Sequence, residues 1–230
     1  MDTVVEDSAL RNQSGVFKDR REAGEHVAGM LEPEFKGLDQ GLVLAIPSGG
    51  VPIGLALSKH LRLDFDLIIA RKLQIPGNTE AGFGAMALGG EPFFNRELLA
   101  ALQLTQDEIQ EQTEKVRTEL TVRNALFRND RPVPDAHGKS VLIADDGLAS
   151  GYTMLASIDA LKKQKAARIV VAVPTAPRSS ISRIEPHADA VYCANIKDVR
   201  SFAVADAYQN WRDLSREEVM DMLRKNTVGQ

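Results

Sequence analysis

Two adjacent acids, Asp145 and Asp146, follow the apolar run Val141–Ala144 and precede a loop of small residues that leads into Tyr152 and Thr153. An ionised carboxylate accepts hydrogen bonds on both oxygens, so the pair can hold two neighbouring hydroxyls of a ribose. The apolar run reads as a buried strand, and open α/β sheets bind ligands beyond the C-terminal ends of their strands. The following residues, Leu148, Ala149, Ser150, Gly151, Tyr152 and Thr153, then offer backbone N–H groups and hydroxyls to a phosphate at a helix N-terminus. Gly147 and Gly151 relieve the steric limits on that tight path. A second small-residue loop, Ser48-Gly49-Gly50, follows the apolar run Gly41–Pro47. Alone it is an ordinary strand-to-helix turn; beside the first loop it reads as a second anion-binding turn. Arg71 and Lys72 follow a third apolar run, either as cations for an anionic ligand or as two solvated charges.

Elements to position these groups are legible around them. Asp19 to Leu31 carries Ala23, Val27, Met30 and Leu31 at helical spacing, as expected for an amphipathic helix flanking the core. Gly41–Pro47 and Asp66–Ala70 read as buried parallel strands, with a helix over Ile53 to Leu61 between them. Leu73 to Pro92 is rich in Gly and Pro and reads as a mobile excursion with a short strand at Phe83–Leu88. Thr105 to Arg128 reads as a long polar helix, opened by a capping box of Thr105 and Glu108. The charges along it read as a solvated face or a subunit contact. After the acid-bearing strand come a helix over Thr153–Lys165, a strand at Arg168–Val173, a crossover from Pro174 to Pro186 and a strand at Ala188–Ala194. This order predicts an α/β fold with a doubly wound parallel sheet. It suggests a single domain over 1–230, with a core of about 40–194 and a cap from 1–38 and 195–230.

Composition narrows the class. The chain has 230 residues, 43% hydrophobic and 26% charged, in the range of ordinary globular proteins. Its net charge of −4 argues against nucleic acid or an anionic membrane as partner, so an anionic ligand needs a local site. Cys193 is the one cysteine, which fits a reducing compartment and reads as a small core residue. The polar, acidic start does not resemble a signal peptide, and the cytoplasm is the expected location. His26, His60, His137 and His187 have no metal-like spacing. Tyr208 and Trp211 in the tail either pack on the core or stack on a ligand.

Residues 141–153 resemble the signature of type I phosphoribosyltransferases, the enzymes that use 5-phosphoribosyl 1-diphosphate (PRPP). The resemblance extends from Phe17-Lys18-Asp19-Arg20 through Ile46–Pro52, Arg71-Lys72, Pro76-Gly77-Asn78 and Gly84-Ala85 to Phe202-Ala203-Val204, like a group of uncharacterised phosphoribosyltransferase-like proteins. It implies that Asp145 and Asp146 hold the ribose 2′- and 3′-hydroxyls and that Leu148–Thr153 surround the 5′-phosphate. Ser48, Gly49 and Gly50 would form the diphosphate loop, which in such enzymes often holds a non-proline cis peptide. Arg71 and Lys72 would precede the flexible loop that closes over diphosphate. Mg²⁺ would arrive bound to PRPP rather than held directly by the protein. Three positions depart from related chains. Ser48 stands where Arg is usual, which weakens the expected grip on diphosphate. Ser150 replaces Thr and keeps the hydroxyl. Ala149 replaces the Asp that hypoxanthine-guanine enzymes place near the purine N7, and the local string is closer to the adenine type without naming the base.

The function so implied is transfer of the 5-phosphoribosyl group to a nitrogen nucleophile, a purine or pyrimidine base or a related amine, with release of diphosphate. The alternative is a non-catalytic PRPP or nucleotide sensor, which Ser48 favours. An unrelated phosphoacceptor or hydrolase domain leaves the phosphate-like loop unexplained. Oligomeric state stays open, with homodimers common among relatives.

Overall fold

The computed structural model describes residues 3–227. The termini of the expected domain and cap, residues 1–2 and 228–230, lie outside the described residues. Among the described residues nine strands run in chain order as β1 (Val4–Val5), β2 (Gly41–Ala45), β3 (Asp64–Leu67), β4 (Ala70–Ile75), β5 (Asn78–Ala87), β6 (Phe93–Phe94), β7 (Ser140–Ala144), β8 (Arg168–Pro177) and β9 (Ala190–Lys197). The helices are α1 (Arg20–Phe35), α2 (Gly50–Leu61), α3 (Arg96–Leu102), α4 (Gln106–Arg128), α5 (Tyr152–Lys163), α6 (Arg178–Ile184) and α7 (Arg216–Thr227).

The main sheet is parallel throughout, in the order β1-β9-β8-β7-β2-β3. Its central strands are apolar along their length because helices cover both faces. Alternation along β2 and β7 sorts the core. Leu42, Leu44, Val141 and Ile143 pack with Met154, Leu155, Ile158 and Leu161 of α5 and with Ile181 and Ile184 of α6. Val43, Leu142 and Ala144 face the other way, against Val27 and Leu31 of α1 and Ile53 and Leu57 of α2. The sheet is therefore doubly wound, as expected from the element order. Chain progression reverses between β2 and β7, and Ala45 pairs with Ala144 there. Ser48–Gly50 and Asp145–Asp146 leave these two adjacent strand ends, so both loops open at the switch point, where such sheets bind ligands.

Several boundaries differ from expectation. The stretch read as a mobile excursion is an antiparallel sheet, β4-β5-β6, turned at Pro76-Gly77. Packing explains this. Leu73, Phe83 and Met86 are buried with Val116, Leu120 and Phe127 of α4 and Val219 of α7, a long-range cluster invisible in the local Gly/Pro content. Consequently α4 is not only a solvated face. Its Arg128, 2% exposed, places Nε and Nη2 at 2.9 Å from the two oxygens of Asp66 at the sheet edge. The strand expected over Asp66–Ala70 splits, since Ala70 begins β4 in the second sheet. The crossover expected from Pro174 starts later, because β8 continues to Pro177. The N-terminal segment assigned to a cap also supplies edge strand β1, while α1 flanks the core as expected.

Candidate functional site

Asp19 caps α1 by accepting the Glu22 N–H at 3.0 Å, and this fixes the helix start so that Arg20 faces the sheet end. Arg20 Nε donates to Asp146 Oδ2 at 2.7 Å, with the two side chains 10% and 14% exposed. Its Nη1 donates to Arg212 O at 2.9 Å, and its guanidinium carbon lies 3.9 Å from the Trp211 ring centroid. Tyr208 donates from its hydroxyl to Asp146 O at 2.7 Å. The tail aromatics thus brace the acid pair from behind: Trp211 through Arg20, Tyr208 through the backbone. Burial pushes Tyr208 up and keeps it a neutral donor.

The two acids differ. Asp146 has its cation, and Asp145 Oδ1 accepts the Asp146 N–H at 2.9 Å. Burial first, and the Asp146 charge second, push the Asp145 carboxyl well above its ordinary range. Burial also raises Asp146, while Arg20 opposes the shift. The site holds one carboxylate against a guanidinium and a second that burial disfavours ionising.

The two loops meet at this point. A Cβ on Gly49 would collide with the Asp146 carboxylate, and one on Gly50 would lie 2.5 Å from Ala144 O. Only glycine lets the Ser48 loop lie against the acid pair. The peptide Pro47–Ser48 is cis, the feature expected of a diphosphate loop by resemblance. Gly50 N–H is spent on Ile46 O at 3.0 Å.

On the other side, Gly151 takes φ +79° as the residue before α5. The loop carbonyls are turned away toward α6. Ser180 Oγ donates to Ala149 O, and Arg183 Nη1 donates to Ser150 O at 2.7 Å. Ala149 and Ser150 are exposed, while Tyr152 and Thr153 open α5 half-buried. Carbonyls held outward leave the start of α5 to present N–H groups, an arrangement suited to an anion. Leu148 does not share this role: its side chain is in the core and its N–H donates to Thr175 O at 3.0 Å. It anchors the loop.

Arg71 and Lys72 precede the hairpin turn at Pro76-Gly77. Both lie within β4, so their side chains alternate across the strand. Arg71 pairs with Glu119 of α4 at 3.1 Å, and Lys72 is exposed. A cation with no assigned role in the sequence, Arg123 of α4, donates from Nη2 to Pro47 O at 3.1 Å, directly beside Ser48. Arg20 was legible only as part of the Phe17–Arg20 string, without a role. Nothing local marks Arg123 within a helix full of charges. Among the described residues no three His, Cys, Asp or Glu side chains cluster as a metal site. Asp145 and Asp146 are hard oxygen donors of the kind Mg²⁺ accepts, but two carboxylates form no dedicated cage. No helix among the described residues is long and apolar enough to cross a membrane.

Residues 17–209 match the family described as "Phosphoribosyl transferase domain". The provisionally named phosphoribosyl transferase Rv0571c of Mycobacterium tuberculosis (strain H37Rv) is 31% identical over 208 residues, which is 90% of this chain and 46% of that protein. The chain therefore spans less than half the length of that relative. The crystal structure of TT1426 from Thermus thermophilus superposes with a TM-score of 0.75 at 30% identity, covering 91% of this chain and 98% of that one. A Neisseria gonorrhoeae protein solved with bound ppGpp shares the fold at a TM-score of 0.50 and 15% identity, over 94% of this chain and 98% of that one. With the acid pair, the small-residue loop before α5 and the cis-peptide loop gathered at one switch point, the chain belongs to the phosphoribosyl transferase domain family.

Proposed function

We propose that the protein transfers the 5-phosphoribosyl group of PRPP to a nitrogen nucleophile and releases diphosphate. The observation that carries this is the contact between Gly49 and the Asp146 carboxylate, with the Ala149–Thr153 loop on the opposite side of the same acids. A ligand spanning these three points needs a phosphate, two vicinal hydroxyls and a second anionic group. PRPP has them in that order. Asp145 and Asp146 would accept from the ribose hydroxyls, Gly151–Thr153 would hold the 5′-phosphate, and the Ser48-Gly49-Gly50 loop would lie along the diphosphate.

In the reaction the bond from the anomeric carbon to diphosphate oxygen breaks with its electron pair, and a bond from the nucleophile's nitrogen forms. The nitrogen's surplus proton leaves to solvent. Positive charge develops on the ribose ring as diphosphate departs, which an ionised acid at the ribose hydroxyls, Asp146 first, would help to stabilise. Mg²⁺ carried on PRPP would neutralise charge on the departing diphosphate. The protein's own part is to orient the ring and exclude water. A purine or pyrimidine base or a related amine is the acceptor class. Action in the cytoplasm, as a homodimer and without nucleic acid or membrane, belongs to the same proposal.

A second reading, a non-catalytic PRPP or nucleotide sensor, is favoured by one feature: Ser48 brings no cation to the diphosphate loop. Calorimetry with Mg²⁺ and PRPP, followed by a diphosphate-release assay over a panel of bases and amines, separates the readings. Binding with release supports the transferase. Binding without release from any acceptor supports the sensor. No PRPP binding sinks both.

A further inference from the structure

We infer that Arg123, reaching across from α4, supplies the diphosphate subsite with the cation that Ser48 lacks, and that the anion it takes is the diphosphate group of PRPP. The inference rests on the phosphoribosyl reading above. Arg123 reaches the loop from 76 residues away, with Nη2 on Pro47 O at 3.1 Å. Its guanidinium carbon lies 5.0 Å from the Phe127 ring centroid, so the head is held in place rather than free in solvent. Nε is buried and has no hydrogen-bond partner. A buried donor left unpaired is costly, and native structures rarely keep one without a use.

The surrounding charge points the same way. Arg71 and Arg216 both act on Arg123 as like charges, against the single acid Glu119. Glu119 is itself engaged by Arg71. Arg71 of β4 pairs with Glu119 of α4, one helical turn before Arg123, so Arg123 has guanidinium neighbours while its nearby carboxylate is already engaged. Burial first, and then Arg71 and Arg216, lower the Arg123 guanidinium to about 10, so it stays charged at neutral pH. Holding the Pro47 carbonyl does not account for this cluster, since one neutral donor would do that. A bound polyanion does account for it, because it offsets the repulsion and gives the forked guanidinium two oxygens to engage.

The test measures binding of Mg²⁺·PRPP, inorganic diphosphate and ribose 5-phosphate by calorimetry to wild type, Arg123→Gln, Arg123→Lys and the double variant Ser48→Arg/Arg123→Gln. Loss of a charge-assisted contact should weaken PRPP and diphosphate about ten- to a hundred-fold in Arg123→Gln. Ribose 5-phosphate should bind as before. Arg123→Lys should keep a larger share of the affinity, and restoring the cation from the loop in the double variant should recover most of it. In wild type, the Arg123 Nε–H resonance should move on adding diphosphate and stay put with ribose 5-phosphate, a readout that needs no folded variant. Wild type that binds no PRPP overturns the phosphoribosyl reading, and this inference with it. Wild type that binds PRPP overturns this inference alone if Arg123→Gln matches it, if ribose 5-phosphate weakens equally, or if the Nε–H resonance ignores diphosphate.

Discussion

The Asp145–Thr153 half of the site and the Ser48 half are built in different ways. The first is a single stretch of chain. Strand β7, the acid pair, the turn at Gly151 and the first turn of α5 follow one another, and α6 only secures the loop through Ser180 and Arg183. The second half is assembled from distant parts: the cis Pro47–Ser48 turn after β2, Arg123 in α4, and Arg71 in β4, which holds Glu119 one turn before Arg123. A locally built subsite carries its chemistry in a readable order. A subsite built from separate elements can move a charge from a loop to a helix and keep the same field, so the loss of a loop cation does not by itself mean the loss of its role.

Breaking the local half should have the largest effect. Gly151→Val places a β-branched residue at φ +79° and a Cβ 3.0 Å from Ile184 Cδ1. Each charge-assisted hydrogen bond lost from the phosphate forfeits about 1.5–3 kcal/mol, so ribose 5-phosphate and PRPP should weaken on the order of a hundred-fold or more. Inorganic diphosphate should keep its affinity if the halves are independent. Calorimetry with the three ligands checks this, and normal ribose 5-phosphate binding by a folded variant would move the phosphate elsewhere.

Asp146→Asn tests the point where the halves touch. It replaces the acceptor that faces Arg20 and Gly49 with a neutral amide, and should weaken PRPP about ten- to a hundred-fold. Diphosphate alone should change little. Equal losses for PRPP and diphosphate would show that Asp146 shapes the Ser48 loop rather than holding ribose.

The smallest expected effect is on stability, and it has a definite sign. The Asp145 carboxyl is raised well above its ordinary value of 3.8, so the folded chain holds that proton more tightly than the unfolded one. Its contribution to stability is full below about pH 4 and is lost as pH rises through the raised value. Asp145→Asn keeps an oxygen for the Asp146 N–H and removes the ionisation. The variant should be more stable than wild type at neutral pH by about 1 kcal/mol, a Tm gain of roughly 2–4 °C for a chain of this size. The gap should close toward pH 4, while PRPP affinity falls. Scanning calorimetry from pH 4 to 8 measures it. A variant less stable than wild type at pH 7 would mean that the Asp145 carboxylate is satisfied in the fold rather than kept for a ligand.

What could be read from the chain alone was local and contiguous. Apolar runs ending in Asp145-Asp146 and in Ser48-Gly49-Gly50 marked strand ends, and the alternation of strand and helix implied a doubly wound sheet, because parallel strands need helical crossovers. The Thr105–Glu108 capping box was legible for the same reason, its partners being three residues apart. The hairpin of β4 and β5 was not, since its Gly and Pro content says turn while its stability comes from α4 and α7, far along the chain. Arg20 as the partner of Asp146, 126 residues away, and Arg123 as the partner of Pro47, 76 away, were equally hidden. A charge in a helix shows its spacing along its own element but not what the fold carries to its head group. Only tertiary packing decides which arginines leave solvent and which acid or carbonyl they meet.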